Sequence, residues 1–248
     1  MRIDILTLFP DMCNTVMQES IIGRAQKSGA ITVCARNIRD YSKDKHHKVD
    51  DTPYGGGRGM LMMAPPIYDC YAAIAAQTEG LRRRVIYMSP KGRVLNHEIA
   101  MELSAYEHII ILCGHYEGVD QRALDLCIDR EISIGDYVVT GGELPAMILA
   151  DAVSRMLPGV LADEQGFIGE SHYSSLLEYP QYTKPAVWHE REVPEVLSSG
   201  HHAKIEEWQR EQSLERTFLR RPELLEKTEL SEKDKKILAK IKEKHSMK

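Results

Sequence analysis

The sequence predicts an α/β protein built on a largely parallel sheet. Short apolar or alternating runs recur between Arg2 and Ile134, amphipathic segments lie between them, and glycine- or proline-bearing loops follow several of the runs. Residues 2–9 alternate as a strand. Pro10-Asp11 then opens a segment with apolar residues at Met12, Cys13, Val16, Met17, Ile21 and Ile22, read as one helix ending at Gly29. A β-rich run over 31–38 leads into a polar loop over 40–52 and the glycine cluster 54–59. Pro66 starts an alanine-rich helix reaching about Gln77. There follow a strand over 84–88, a helix near 96–106, a strand over 109–113, a helix near 121–127 and a strand over 132–134. A helix over 144–157 carries Leu144, Met147, Ile148, Ala152 and Met156 and is ended by Pro158-Gly159.

Residues 161–175 show no period and are read as a linker or lid, because structureless stretches of this length inside a compact protein tend to be functional or mobile. Beyond residue 190 the text is helical, with a start at Pro194, a break at Gly200 and a final helix capped near Ser231 with Glu232 and Asp234 in its first turn. The predicted organisation is an α/β domain over 1–160, the lid over 161–175 and a small all-helical domain over 176–248.

Composition bounds the class. With 43% hydrophobic and 28% charged positions in 248 residues, disorder and small disulfide scaffolds are excluded. No apolar run approaches the roughly 18 to 20 residues of a membrane span, and no export signal is visible, so a soluble cytoplasmic protein without a membrane partner is expected. The five cysteines are odd in number and form no C-x-x-C pair, which predicts reduced small hydrophobes rather than a disulfide framework or thiolate zinc. The net charge is −5, yet residues 201–248 hold 13 Lys/Arg against 10 Asp/Glu, leaving 19 against 27 for residues 1–200. The basic tail permits a nucleic-acid contact, although a solvated helix bundle of mixed charge looks the same.

Three loops carry the chemistry: Ser89-Pro-Lys-Gly92, Gly114-His-Tyr-Glu-Gly118 and Gly135-Asp-Tyr-Val-Val-Thr-Gly-Gly142. Loops leaving the carboxyl ends of parallel strands line a ligand crevice, and glycine lets backbone groups approach the ligand. Any one of these loops alone could be a plain turn. Phosphate patterns fail: there is no G-x-x-x-x-G-K-[ST], and the loops lack a Lys/Arg cluster and instead contain Glu117, Asp136 and Glu143. That polarity suits a cationic or neutral ligand, or magnesium held by one or two carboxylates, while Asp136 or Glu143 could equally cap the following helix. The pairs His46-His47 and His201-His202 are read as solvent-facing or RNA-contacting, and no zinc is expected.

Several of these residues fall in longer motifs. Pro53-Tyr-Gly-Gly-Gly, Gly59-Met-Leu-Met-Met63, Cys-Gly-x-Tyr-Glu-Gly over 113–118, Ser133-Ile-Gly-Asp-Tyr-Val138, Gly141-Gly-Glu-Leu-Pro-Ala146 and Ser213-Leu-x-Arg-Thr-x-Leu-Arg-Arg-Pro-Glu-Leu-Leu225 closely resemble the bacterial tRNA (guanine-N1)-methyltransferase family, from residue 1 to about residue 230. The resemblance implies a SPOUT-like sheet ending in a C-terminal trefoil knot. It implies methylation by S-adenosylmethionine of the guanine at tRNA nucleotide 37, 3′ of the anticodon, in tRNA carrying guanine at nucleotides 36 and 37. It also implies a magnesium requirement and a homodimer.

By the same resemblance the donor is held by Tyr87, Met88, Ser89 and Pro90, by Gly114, Tyr116, Glu117 and Gly118, and by Ile134, Gly135, Tyr137, Val138, Gly141, Gly142 and Pro145. Arg155 would stabilise negative charge on the guanine, and Glu170, standing where the family has aspartate, would remove the N1 proton. Asp50 and Gly59 would contact tRNA, Glu117 would neighbour the magnesium, and Arg58 replaces a common proline. The competing readings are a non-catalytic RNA-binding protein and a magnesium-dependent nucleotide hydrolase, the latter without a phosphate cradle.

Overall fold

A computed structural model of the chain describes residues 1–162, 171–173 and 175–246. The chain divides into two compact units, Met1–Glu164 and Gln165–Lys248.

The first unit is built on five strands: β1 (Arg2–Thr7), β2 (Thr32–Asn37), β5 (Arg83–Val94), β6 (His108–Cys113) and β7 (Arg130–Ser133). They lie in the order β2-β1-β6-β5-β7, and every neighbouring pair is parallel. Helices cover both faces, so successive side chains of a strand are buried on opposite sides. In β6, Ile109, Ile111 and Cys113 join one core with Ile3, Ile5, Ile86 and Met88, whereas Ile110 and Leu112 join the other with Leu6 and Val85. The first core is closed by α1 (Pro10–Met17), α2 (Ser20–Lys27), α4 (His97–Ser104) and α6 (Glu143–Ser154), which contribute Met17, Ile22, Leu103 and Val153. The second is closed by α3 (Ala64–Gln77) and α5 (Gln121–Cys127) through Ile67, Ile74 and Leu124. A two-strand ribbon, β3 (Asp50–Asp51) and β4 (Leu61–Met62), precedes α3.

Three local expectations are corrected. The segment after β1 is two helices rather than one. Gln18 caps the first, and its carbonyl crowds Gly23, where a Cβ would lie 1.9 Å from the Gln18 oxygen. The Ser89–Gly92 segment is an excursion inside the twelve-residue β5, which changes register between Met88 and Arg93 and then pairs Arg93 with Ile132. Gly92 permits the return, since a side chain there would meet the Ile132 nitrogen at 2.4 Å. The ends of α6 also differ from the predicted 144–157, because the residues after Ser154 continue only as turns.

The second unit contains α7 (Glu195–Ser198), α8 (His202–Arg220), α9 (Glu232–Ser246) and a 3-10 segment, Pro222–Lys227. It is not all-helical. A two-residue hairpin, β8 (Val187–Trp188) with β9 (Arg191–Glu192), turns through His189 and Glu190 at φ 49° and 60°. Two consecutive left-handed residues make the turn that matches strand twist, here without the Asn-Gly pair that announces it in sequence. Leu176, Leu214 and Ile241 form the core of this unit, with Phe218, Leu225 and Ile237 packed around them. Of the predicted lid, residues 163–170 and 174 lie outside the described residues.

Candidate active site

The carboxyl ends of β5, β6 and β7 surround a cavity of about 420 Å³. Its apolar floor includes Leu61, Leu124 and Ile132. The three predicted loops form its walls. Tyr87, Met88, Ser89 and Pro90 line it from β5; Gly114, Tyr116, Glu117 and Gly118 from the loop after β6; Ile134, Tyr137, Val138, Gly141, Gly142 and Pro145 from the segment leading into α6.

Glycine has a definite task here. At Gly142 a Cβ would lie 2.6 Å from the Cys113 Cα, so only a bare backbone lets the third segment reach the end of β6, where the Gly142 amide donates to the Gly114 carbonyl at 2.8 Å. Gly135, the remaining predicted donor residue, stands behind the lining at φ 145° against the Tyr137 ring.

Charge in the cavity is sparse. Glu117 is the only carboxylate and Lys91 the only Lys or Arg among the lining residues. Burial, and after it Glu131, holds the Tyr87 phenol above its ordinary pKa, so it stays a neutral hydroxyl. Beneath the third segment Glu143 is buried and accepts the Thr7 hydroxyl at 2.8 Å. It occupies the first turn of α6, whose N-cap is Gly142. Burial, with Glu143 adding to it, pushes the Cys113 thiol well above its ordinary pKa.

His115 also lines the cavity, and sequence reasoning missed it. Its ring packs edge-on to Phe9 at 5.0 Å and to Tyr116 at 4.9 Å, and its Nδ1 is buried without a hydrogen-bond partner among the described residues. The signal available was its position inside a glycine-bounded loop that ends a strand.

The other predicted residues lie elsewhere. Asp50 sits in β3, and Gly59, at φ 76°, packs against Glu117 so closely that a Cβ would meet the Glu117 Cγ at 2.4 Å. The ribbon loop therefore abuts the cavity wall without lining it. Arg155 is the C-cap of α6 and does not line the cavity; Asp151, one turn earlier, has its pKa raised by burial, which Arg155 partly offsets. Glu170 lies outside the described residues. No group of three His, Cys, Asp or Glu able to hold a metal occurs among the described residues, which includes both histidine pairs. Glu117 is the carboxylate that the cavity wall would offer a magnesium ion.

A cavity at the ends of parallel strands, with backbone-rich walls and no cationic cluster among the described residues, is the architecture of an α/β protein with room for one compact organic ligand. The family model described as tRNA (Guanine-1)-methyltransferase TrmD matches residues 1–227. A tRNA (guanine-N(1)-)-methyltransferase of Ruminiclostridium cellulolyticum is 62% identical over 229 residues, covering 92% of this chain and 97% of its own. Proteins of the same name from Desulforamulus reducens and Alkaliphilus oremlandii are each 52% identical, over 241 and 248 residues, covering 97% and 98% of this chain and 95% and 100% of their own. The chain belongs to this family of tRNA methyltransferases.

Proposed function

We propose that the protein transfers a methyl group from S-adenosylmethionine to N1 of the guanine at tRNA nucleotide 37, 3′ of the anticodon, in cytoplasmic tRNA carrying guanine at nucleotides 36 and 37. The observation that carries this reading is the 420 Å³ cavity walled by three glycine-bearing segments and free of a Lys/Arg cluster, in a chain of this family. Its size falls in the range of small-ligand pockets, about 300 to 1,000 Å³.

The bare backbone of Gly114, Gly118, Gly141 and Gly142 lets a ligand adenine approach the wall closely, and the Glu117 carboxylate favours a cation beside it. When bound, S-adenosylmethionine supplies an electrophilic methyl group on a sulfonium. Guanine N1 holds a proton and is a poor nucleophile until it leaves, so the protein must remove it and stabilise the negative charge left on the ring. Glu170 takes that proton and Arg155 faces the charge. Asp50 and Gly59 contact the tRNA, as do residues of the second unit, whose C-terminal part is basic. A magnesium ion, where it takes part, would have Glu117 as its acidic neighbour.

Arg155 stands outside the cavity of its own chain, which favours a homodimer in which a second copy completes each site. The return of the chain from the edge strand β7 to the end of β6 and on into α6 supports the trefoil knot of the SPOUT class.

Mass spectrometry of tRNA incubated with the protein and S-adenosylmethionine tests the reading. A gain of about fourteen daltons, one CH₂, on the target guanine is expected, with transfer lost in Glu170→Gln. No gain with the wild-type protein contradicts the activity, and full transfer by Glu170→Gln removes that residue from it.

A further inference from the structure

We infer that Arg39, Arg58 and Lys91 form a phosphate-binding rim at the cavity mouth, which takes the sugar–phosphate backbone of the tRNA while the cavity itself receives only a compact ligand. The inference rests on the tRNA substrate of the reading above and not on the chemistry of the transfer.

The three cations reach the cavity wall from separate elements. Lys91 belongs to the excursion of β5 and lines the cavity while exposed to solvent. Arg39 lies in the 3-10 turn Ile38–Tyr41 that follows β2, and its guanidinium donates to the phenol of the lining residue Tyr116 at 3.5 Å. Arg58 stands on the exposed loop of the β3–β4 ribbon. Backbone bonds pin that ribbon to the second wall segment. The Glu117 amide donates to the Met60 carbonyl at 3.0 Å, the Met62 amide to the Gly118 carbonyl at 2.9 Å and the Asp120 amide to the Met62 carbonyl at 2.9 Å. Gly59, next to Arg58, packs directly on the Glu117 side chain. A cation on this loop is therefore held at the edge of the wall.

What sets these three apart is that none has a carboxylate partner among the described residues. Nearby cations do: Lys43 pairs with Asp69 at 2.7 Å, Lys48 with Asp51 at 3.0 Å and Arg122 with Asp120 at 2.6 Å. Exposed aromatic rings are interleaved with the unpaired charges. Tyr54 is fully exposed on the loop that carries Arg58, and Tyr116 and Tyr137 of the wall are partly exposed.

Size and charge together select the occupant. A cavity of about 420 Å³ cannot admit a tRNA, so the polymer lies across the mouth and its charge falls on the groups around it. Unpaired cations among bare aromatic rings suit a nucleic-acid strand, whose phosphates and base faces they engage together. A small phosphorylated ligand would need its cations gathered inside the cavity, where Lys91 is alone among the lining residues.

The test measures binding of the full-length protein to a full-length tRNA transcript across a salt series. Each phosphate contact adds about 0.7 to the slope of log affinity against log salt for a single strand, so the triple variant Arg39→Gln, Arg58→Gln, Lys91→Gln is expected to reduce the wild-type slope by about 2. Its KM for tRNA at about 0.15 M salt should rise on the order of tenfold with kcat kept within about twofold, since phosphate contacts are made equally in ground and transition states. The control triple variant Arg24→Gln, Lys27→Gln, Arg82→Gln removes the same charge from exposed positions next to the amino ends of β2 and β5, at the other end of the sheet. It should leave the slope within about 0.5 of wild type. An unaltered slope in the first triple variant overturns the inference, as does an equal fall in the control, which marks net charge alone. A loss of S-adenosylmethionine affinity as large as the loss for tRNA marks damage to the cavity and overturns it too. A wild-type protein that binds tRNA and transfers no methyl group overturns the methyl-transfer reading, while the salt slope still decides the rim.

Discussion

Asp4 is fully buried in the middle of β1, where an isolated carboxylate would be strongly disfavoured. It is surrounded by donors: His108 Nε2 at 2.9 Å, Arg36 Nε at 2.7 Å and Arg2 Nε at 2.6 Å. Burial acts to raise its pKa, but the hydrogen bonds from His108, Arg2 and Arg36 together outweigh burial and hold the carboxyl well below the usual range. A carboxyl with a depressed folded pKa stabilises the fold above its unfolded pKa of about 3.9 and loses that contribution as pH falls toward the folded value. The network ties β1 to its two sheet neighbours, β2 through Arg36 and β6 through His108. Asp4→Asn keeps the shape and removes the charge that three donors share. We expect a loss of about 3 kcal/mol at pH 7, as for breaking a buried ion pair, read from urea unfolding. The deficit should shrink as pH falls below about 4, where the Asp4 carboxyl of the unfolded chain takes up a proton that the folded protein does not. A variant as stable as wild type at pH 7 would show that the arginines and His108 are satisfied without it.

At the scale of elements, α9 shows how a few polar atoms define a helix start. The Asp234 amide donates to the Ser231 hydroxyl at 3.1 Å, and the Ser231 amide donates back to the Asp234 carboxylate at 3.0 Å, a reciprocal cap of the kind that ends orphan donors. The Arg210 guanidinium grips the same carboxylate through two bonds of 2.9 Å and so fastens α9 to α8, holding the Asp234 pKa down to about 2. Ser231→Ala is expected to cost about 1 kcal/mol and to speed amide hydrogen exchange in the first turn of α9 before any other helix. Uniform exchange across the second unit would show that the cap is not local.

This start was legible in the sequence because capping is a local pattern, and so were the limits of α5 and the buried run of β6. What escaped reading was set by tertiary neighbours. The break after α1 depends on Gln18 meeting Gly23, the length of β5 on Gly92 lying against β7, and the hairpin turn on left-handed His189 and Glu190. In the cavity, glycine and proline at strand ends marked the three loops by their own backbone needs, while the fifteen expected donor residues, fourteen of which lie in the lining, came from the family resemblance. His115 escaped because its interest lies in a buried nitrogen without a partner among the described residues, which leaves no pattern in the chain.

At the scale of the molecule, α6 is apolar nearly all round, and such a helix is stable only when covered on every side. Ala146, Leu149, Ala150 and Val153 pack into the first core, but Leu144 and Ile148, one turn apart, remain 49% and 47% exposed. Beside α6, α1 leaves Phe9, Met12 and Val16 exposed as well, and the two helices are in contact. Exposed apolar side chains on two helices in contact are a candidate association surface. A second copy of the chain fits the rest of the argument, since Arg155 ends α6 yet stands outside its own cavity. We therefore expect wild-type protein to sediment at twice the 28.2 kDa of one chain. The double variant Leu144→Lys, Ile148→Lys, whose side chains are already half in water, should fold and sediment at 28.2 kDa. Its methyl transfer should fall at least about a hundredfold, the loss that follows when a reacting group is displaced from its partner. If that monomer keeps full activity, each chain carries a complete site, and Arg155 must act within its own subunit or not at all.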